Sequence, residues 1–210
     1  MIIHKAEQWA YLGPPKTAST AMHFMLQQEP WCGEMPNPDN QHDMLVPDEC
    51  IDFFVFATIR DPYERAMSLY WHYLRDVRRI RGLMDGQTRE QFTKNPLPET
   101  EFPFRDYMKA VLENRLRVID DPGAPFFTFT LSDWLHDAMP LDAYVHQENL
   151  SEELVRLTPF GERKIVVPRK NAPGRKPWSE FKTEGTIALV DAWAEEDFRR
   201  FGYESQAGTV

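Results

Sequence analysis

WAYLGPPKTASTAMHFML, residues 9–26, changes periodicity within a single tight turn. Trp9-Ala10-Tyr11-Leu12 is a short apolar run of the kind a buried strand carries, and residues 8–13 read as a first strand. Over 17–28, Ala18, Ala21, Met22, Met25 and Leu26 recur at i, i+3, i+4, i+7 and i+8, which is one face of a helix. A strand that turns tightly into a helix leaves unpaired N–H groups at the helix start, and with the helix dipole these favour an anion. Lys16 adds a full positive charge there, and Thr17, Ser19 and Thr20 add hydroxyl donors. The same residues also suit an ordinary helix start capped by Thr or Ser. A magnesium-dependent ATPase or kinase carries G-x-x-x-x-G-K-[ST] at such a turn, with the last hydroxyl on the metal. Here no glycine precedes Lys16 and Gly13 is the loop's one glycine, so an anion cradle that holds no magnesium is expected.

The chain has 210 residues, 42% of them hydrophobic and 13% aromatic, enough for one globular domain, taken as residues 1–210, and too apolar for a disordered chain. The strongly apolar run around 53–59 is too short to cross a bilayer, and the first residues lack a basic-then-apolar leader pattern. Cys32 and Cys50 have no metal-ligand spacing, and a reducing cytoplasmic location is expected. A net charge of −9 argues against a general nucleic-acid binder. Positive charge is nevertheless concentrated in two islands, Arg75/Arg78/Arg79/Arg81 and Arg163/Lys164/Arg169/Lys170/Arg175/Lys176, which suits a small anionic ligand or two solvated basic faces.

The second informative stretch is FFVFATIRDPYERAMSLYWHY, residues 53–73. Residues 52–60 read as a buried strand of a parallel sheet, which puts Arg60 at the sheet's carboxyl edge, where open α/β sheets bind ligands. Asp61 suits an N-cap and Pro62 a first helical position, so a long helix is expected with Ala66, Leu69, Tyr70, Tyr73, Leu74 and Val77 inward. Ser68, eight residues after Arg60, lies off that stripe with His72, Arg75 and Arg79, so Arg60 and Ser68 could meet one anion; Arg60 could equally pair with Asp61 or Glu64. A Pro-rich connection over 93–103, a helix over 104–112, a turn at 120–125, a strand over 141–146, a helix over 151–157, a basic loop over 168–177 and one last helix carrying Ile187 to Phe201 and stopping at Gly202 complete the pass. Strands alternating with helices imply a three-layer α/β/α fold with a mostly parallel central sheet.

Together, PPKTAST and RDPYERAMSLY resemble the 5′-phosphosulfate loop and the 3′-phosphate motif of sulfotransferases that use 3′-phosphoadenosine 5′-phosphosulfate (PAPS). VHQENL (145–150) and DFRRFGYE (197–204) are similar to the segment before that family's late helix and to its terminal helix, and the carbohydrate-type branch is the most similar. The resemblance implies a P-loop-like nucleotide-binding fold and roles residue by residue. Lys16 would contact the phosphosulfate and neutralise the leaving oxygen. Thr17, Ala18, Ser19 and Thr20 would cradle the 5′-phosphate, and Arg60 and Ser68 would hold the 3′-phosphate. Arg169 and Lys170 fall where such enzymes close over the nucleotide. No metal and no nucleic acid is implied; the partners are PAPS and a hydroxyl-bearing acceptor, and the sequence does not name an oligomeric state.

Sulfuryl transfer also needs a base for the acceptor proton. In the carbohydrate-type enzymes that base comes from the region between the two phosphate motifs, where NQHDMLVPDE supplies His42, with Asp43 as an orienting partner. A surface-loop histidine is the alternative. Glu34 and Glu49 are the other candidates in that interval, with His72, His146 and Glu148 behind them, and Trp178 is the tryptophan placed to touch adenine or acceptor. A P-loop kinase and a non-catalytic nucleotide-binding relative are the competing functions.

Overall fold

The computed structural model describes residues 1–37, 42–84, 103–113, 128–136, 141–157, 159–161, 165–167 and 176–209, with the backbone alone over 76–84. The fold is α/β, and it divides into two compact units: Met1–Asp61 with Leu131–Pro173, and Pro62–Thr130 with Gly174–Val210. The expected 120–125 turn lies outside the described residues, as does nearly all of the 93–103 connection.

The first unit is built on a four-stranded sheet in the order β1 (Ile2–His4), β2 (Trp9–Leu12), β3 (Phe54–Ile59), β4 (Ala143–His146). β1 runs antiparallel to β2, while β2, β3 and β4 are parallel. All four β2 residues are buried; successive side chains point to opposite faces, so both faces are covered at this strand. Helix α1 (Ser19–Leu26) sets Met22, Met25 and Leu26 against Trp9, Tyr11, Phe56 and Phe160. After the short helix α4 (Leu131–Trp134), β4 leads to α5 (Leu150–Leu154), whose Leu150 and Leu154 enter the same core. β1 is absent from the sequence expectation because three residues are too few to show alternation. Its outer edge is covered by the backbone of Glu34, which exchanges hydrogen bonds of 2.8 and 2.7 Å with Ile3.

Gly33 precedes that pairing, and a Cβ there would stand 2.4 Å from Ile2 Cγ2 and 3.0 Å from the Leu26 carbonyl oxygen. Gly33→Ala should therefore lower stability by about 1–3 kcal/mol, as overpacking against a strand and a helix end does. Chemical denaturation of the two chains measures this, and an unchanged midpoint would contradict the packing.

The second unit is helical: α2 (Pro62–Met84), α3 (Phe104–Leu112), α6 (Glu184–Trp193) and α7 (Glu195–Phe201). α2 begins at Pro62 as the Asp-Pro pair predicts. Tyr63, Ala66, Leu69, Tyr70 and Leu74 join Phe104, Tyr107, Met108, Trp178 and Ile187 in one aromatic-rich core. The single last helix expected from the sequence is two. Ala194, at φ −110° and ψ 22°, ends α6 and starts α7, whose first turn carries Glu195, Glu196 and Asp197 where carboxylates complement the dipole. α7 does stop at Gly202, left-handed at φ 72°. No helix among the described residues is long and apolar enough to cross a membrane.

Candidate functional site

Leu12, the last β2 residue, pairs with Ala57, and β3 continues two residues further to Ile59, which pairs with His146. The carboxyl ends of three parallel strands therefore release Gly13, Arg60 and Gln147 at one edge of the sheet. Gly13 permits the close passage from β2 to α1: a Cβ there would stand 3.0–3.1 Å from Ser19, His23 and Tyr11 side-chain atoms. Lys16 and Ala18 then take left-handed conformations, φ 69° and 67°, while Thr17 between them does not. Alternating hand turns successive N–H groups into one concavity, the geometry that receives anions. Each non-glycine residue held this way costs about 1–3 kcal/mol, a burden that concentrates at functional sites. Ala18 is the N-cap of α1, and no side chain caps it, so the Thr/Ser-capped start is not what forms.

Thr17 turns inward instead. Its hydroxyl donates to the Pro14 carbonyl at 2.8 Å and lies 2.8 Å from Thr58 Oγ1, which lies 2.8 Å from the Tyr11 hydroxyl. Thr17 thus has only its backbone N–H left to offer an anion as a donor. Ser19 is buried at the first helical position and Thr20 is exposed beside it.

Arg60 is half-buried, and its Nη1 donates to the Lys16 carbonyl at 3.3 Å, which lays the guanidinium against the turn. On the next strand end, Glu148 Oε1 accepts from the Asp61 N–H at 2.9 Å, and Glu153 Oε2 accepts from His146 N at 2.7 Å and lies 3.1 Å from its Nδ1. His42 reaches the turn from the long loop, with Nδ1 2.7 Å from the Gly13 carbonyl oxygen. A carbonyl can only accept, so Nδ1 carries the hydrogen and the neutral ring keeps its lone pair on Nε2. Trp134 of α4 stands beside the imidazole, centroids 6.2 Å apart. Asp43, expected to orient the ring, instead accepts from Leu45 N at 3.1 Å, and the Gly13 carbonyl does the orienting. Lys16, Arg60 and His42 are thus gathered on one turn.

The other candidates disperse. Glu34 sits at the outer edge of β1, level with the middle of β2, and Glu49 is exposed in a short 3₁₀ turn. His72 accepts from Arg75 on the surface of α2. Ser68 lies on α2 in the second unit and is buried; the first turns of α2 are buried almost all round, not along one stripe. Trp178 is a core residue stacked on Tyr63 at 5.0 Å, with its N–H on Gln206. Arg65, a charged residue of α2, is fully buried, donating to the Phe129 carbonyl at 3.0 Å with its guanidinium 5.4 Å from the Trp193 ring centre. Arg169 and Lys170 lie outside the described residues. Sequence reasoning missed Tyr11, Thr58 and Trp134 at the site; for Thr58, a lone hydroxyl in an otherwise apolar buried strand was the available signal. Against protein-family models, curated proteins and solved structures, the chain has no match.

Proposed function

We propose that this chain is a sulfotransferase that moves a sulfuryl group from PAPS to a hydroxyl acceptor, on a three-layer P-loop-like fold. One observation carries this reading: an uncapped helix start on two left-handed residues, at the carboxyl edge of a parallel sheet, with Arg60 and His42 bonded to its carbonyls. The N–H groups of the turn, with Ser19 and Thr20, cradle the 5′-phosphate, and Lys16 meets the phosphosulfate. Arg60 holds the 3′-phosphate, and the motif's resemblance to the PAPS enzymes assigns Ser68 to the same group. His42 Nε2 takes the acceptor proton as the acceptor oxygen bonds to sulfur in line. The bridging sulfur–oxygen bond breaks, and its electron pair leaves on the phosphate of 3′,5′-diphosphoadenosine beside Lys16. Incubation with labelled PAPS and a panel of hydroxyl acceptors, in the presence of chelator, should yield labelled sulfate ester and 3′,5′-diphosphoadenosine. A strict magnesium requirement with ATP as donor would overturn the proposal in favour of a kinase.

Arg60→Ala should weaken 3′,5′-diphosphoadenosine binding by about tenfold to a hundredfold, the worth of one or two charge-assisted hydrogen bonds. Adenosine 5′-phosphosulfate, which has no 3′-phosphate, should lose much less, and Ser68→Ala should follow the same pattern. Calorimetry with both ligands decides it: equal losses would mean that Arg60 supports the turn through Lys16 and reads no phosphate.

A further inference from the structure

Three buried hydroxyls lie in series beneath the anion-receiving turn, and their polarity is determined. Thr17 has one hydroxyl hydrogen, and the Pro14 carbonyl, which cannot donate, takes it at 2.8 Å. The 2.8 Å contact between Thr17 and Thr58 must then be donated by Thr58, and the 2.8 Å contact between Thr58 and Tyr11 by the tyrosine. The chain runs one way: Tyr11 to Thr58 to Thr17 to the Pro14 carbonyl. Tyr11, Thr17 and Thr58 are each fully buried, so a link left unmade costs the desolvation of a buried hydroxyl. The register explains the meeting. Tyr11 pairs with Phe56, and Thr58 is two residues on, the diagonal neighbour on the same face of the adjacent strand.

Thr17 is the residue between the two left-handed positions. Tying its side chain into the sheet and back onto Pro14 fixes the point about which Lys16 and Ala18 turn. We infer that Tyr11 and Thr58 are positioning residues, whose hydroxyls hold the 13–18 turn in its anion-receiving conformation before any anion arrives. This rests on reading the turn as an anion cradle, but the conformation itself can be measured without ligand. Burial also raises the Tyr11 phenol far above its ordinary range, which keeps the hydroxyl protonated as the donor at the head of the chain.

Backbone NMR of the ligand-free full chain tests it, with Thr58→Val, Thr58→Ser and Tyr11→Phe beside the wild type. Lys16 and Ala18 should show left-handed shifts and order parameters of about 0.85 in wild type and Thr58→Ser, falling below about 0.6 in Thr58→Val, while α1 beyond its first turn stays rigid. Affinity for 3′,5′-diphosphoadenosine should fall about tenfold in Thr58→Val and recover in Thr58→Ser. Tyr11→Phe, which leaves Thr58 able to donate, should move both readouts the same way by less, and it decides the matter if Thr58→Val does not fold. Unchanged order at Lys16 and Ala18, or equal loosening throughout α1, would overturn the inference. A wild type that is ordered at the turn yet binds no adenine nucleotide would sink the sulfotransferase proposal and leave the hydroxyl chain standing.

Discussion

Replacing His42 with alanine should lower sulfuryl transfer by a factor of about 10²–10⁴, the usual worth of a positioned general base. In the proposed reaction the ring acts on the acceptor proton and not on the nucleotide, so affinity for 3′,5′-diphosphoadenosine and thermal stability should stay close to wild type. The Gly13 carbonyl tethers the ring, which fixes the tautomer with hydrogen on Nδ1 and the lone pair on Nε2. Protonation removes that lone pair. The wild-type rate should therefore fall on the acid side of the profile as imidazole becomes imidazolium, and that limb should be missing from His42→Ala. His42→Gln tests the tether separately, since an amide can still reach the Gly13 carbonyl but cannot serve as a base. Retained activity in His42→Ala, with activity abolished in Glu49→Gln, would transfer the role to a carboxylate.

Lys16→Ala should lower turnover by about 10²–10³, in line with removal of one preorganised group that meets charge developing in the transition state. Nucleotide affinity should fall less than turnover, because the N–H concavity survives: alanine at φ 69° is no more and no less strained than lysine. Lys16→Gly separates charge from backbone, as glycine accepts the left-handed conformation freely. It should be as slow as Lys16→Ala yet somewhat more stable to denaturant. If Lys16→Gly kept normal turnover, the contribution of residue 16 would be conformational and the assigned role in the leaving group would fall. Single-turnover kinetics at saturating PAPS, in chelator, read the chemical step free of the binding effect.

The parallel part of the sheet was legible because its strands are buried, apolar and bounded by sharp punctuation. Gly-Pro-Pro after Leu12 and Asp-Pro after Arg60 mark the ends of β2 and β3 within a residue or two. β1 was not legible: its pairing with β2 through Ile2–Tyr11 and Ile3–Ala10 is a tertiary fact that three residues do not announce. The break at Ala194 was hidden for a related reason, since Ile187, Val190, Ala194, Phe198 and Phe201 keep helical spacing across it. At the candidate site, Lys16 could be named from the sequence because it stands in the turn between β2 and α1, and Arg60 because it directly follows β3. Their support could not. Thr17 reads as a donor toward ligand, and only the fold shows its hydroxyl committed to Pro14 and Thr58. Asp43 reads as the partner of His42 because it is adjacent in sequence, whereas the carbonyl that holds the ring comes from twenty-nine residues away.

Titration calorimetry of the wild-type chain with 3′,5′-diphosphoadenosine in excess chelator tests the central claim most directly, because it needs no knowledge of the acceptor. Saturable one-to-one binding is predicted, weaker for adenosine 5′-phosphate by the loss of the 3′-phosphate, and unchanged when magnesium replaces the chelator. Absence of binding in chelator, or a preference for ATP that appears only with magnesium, would contradict the account.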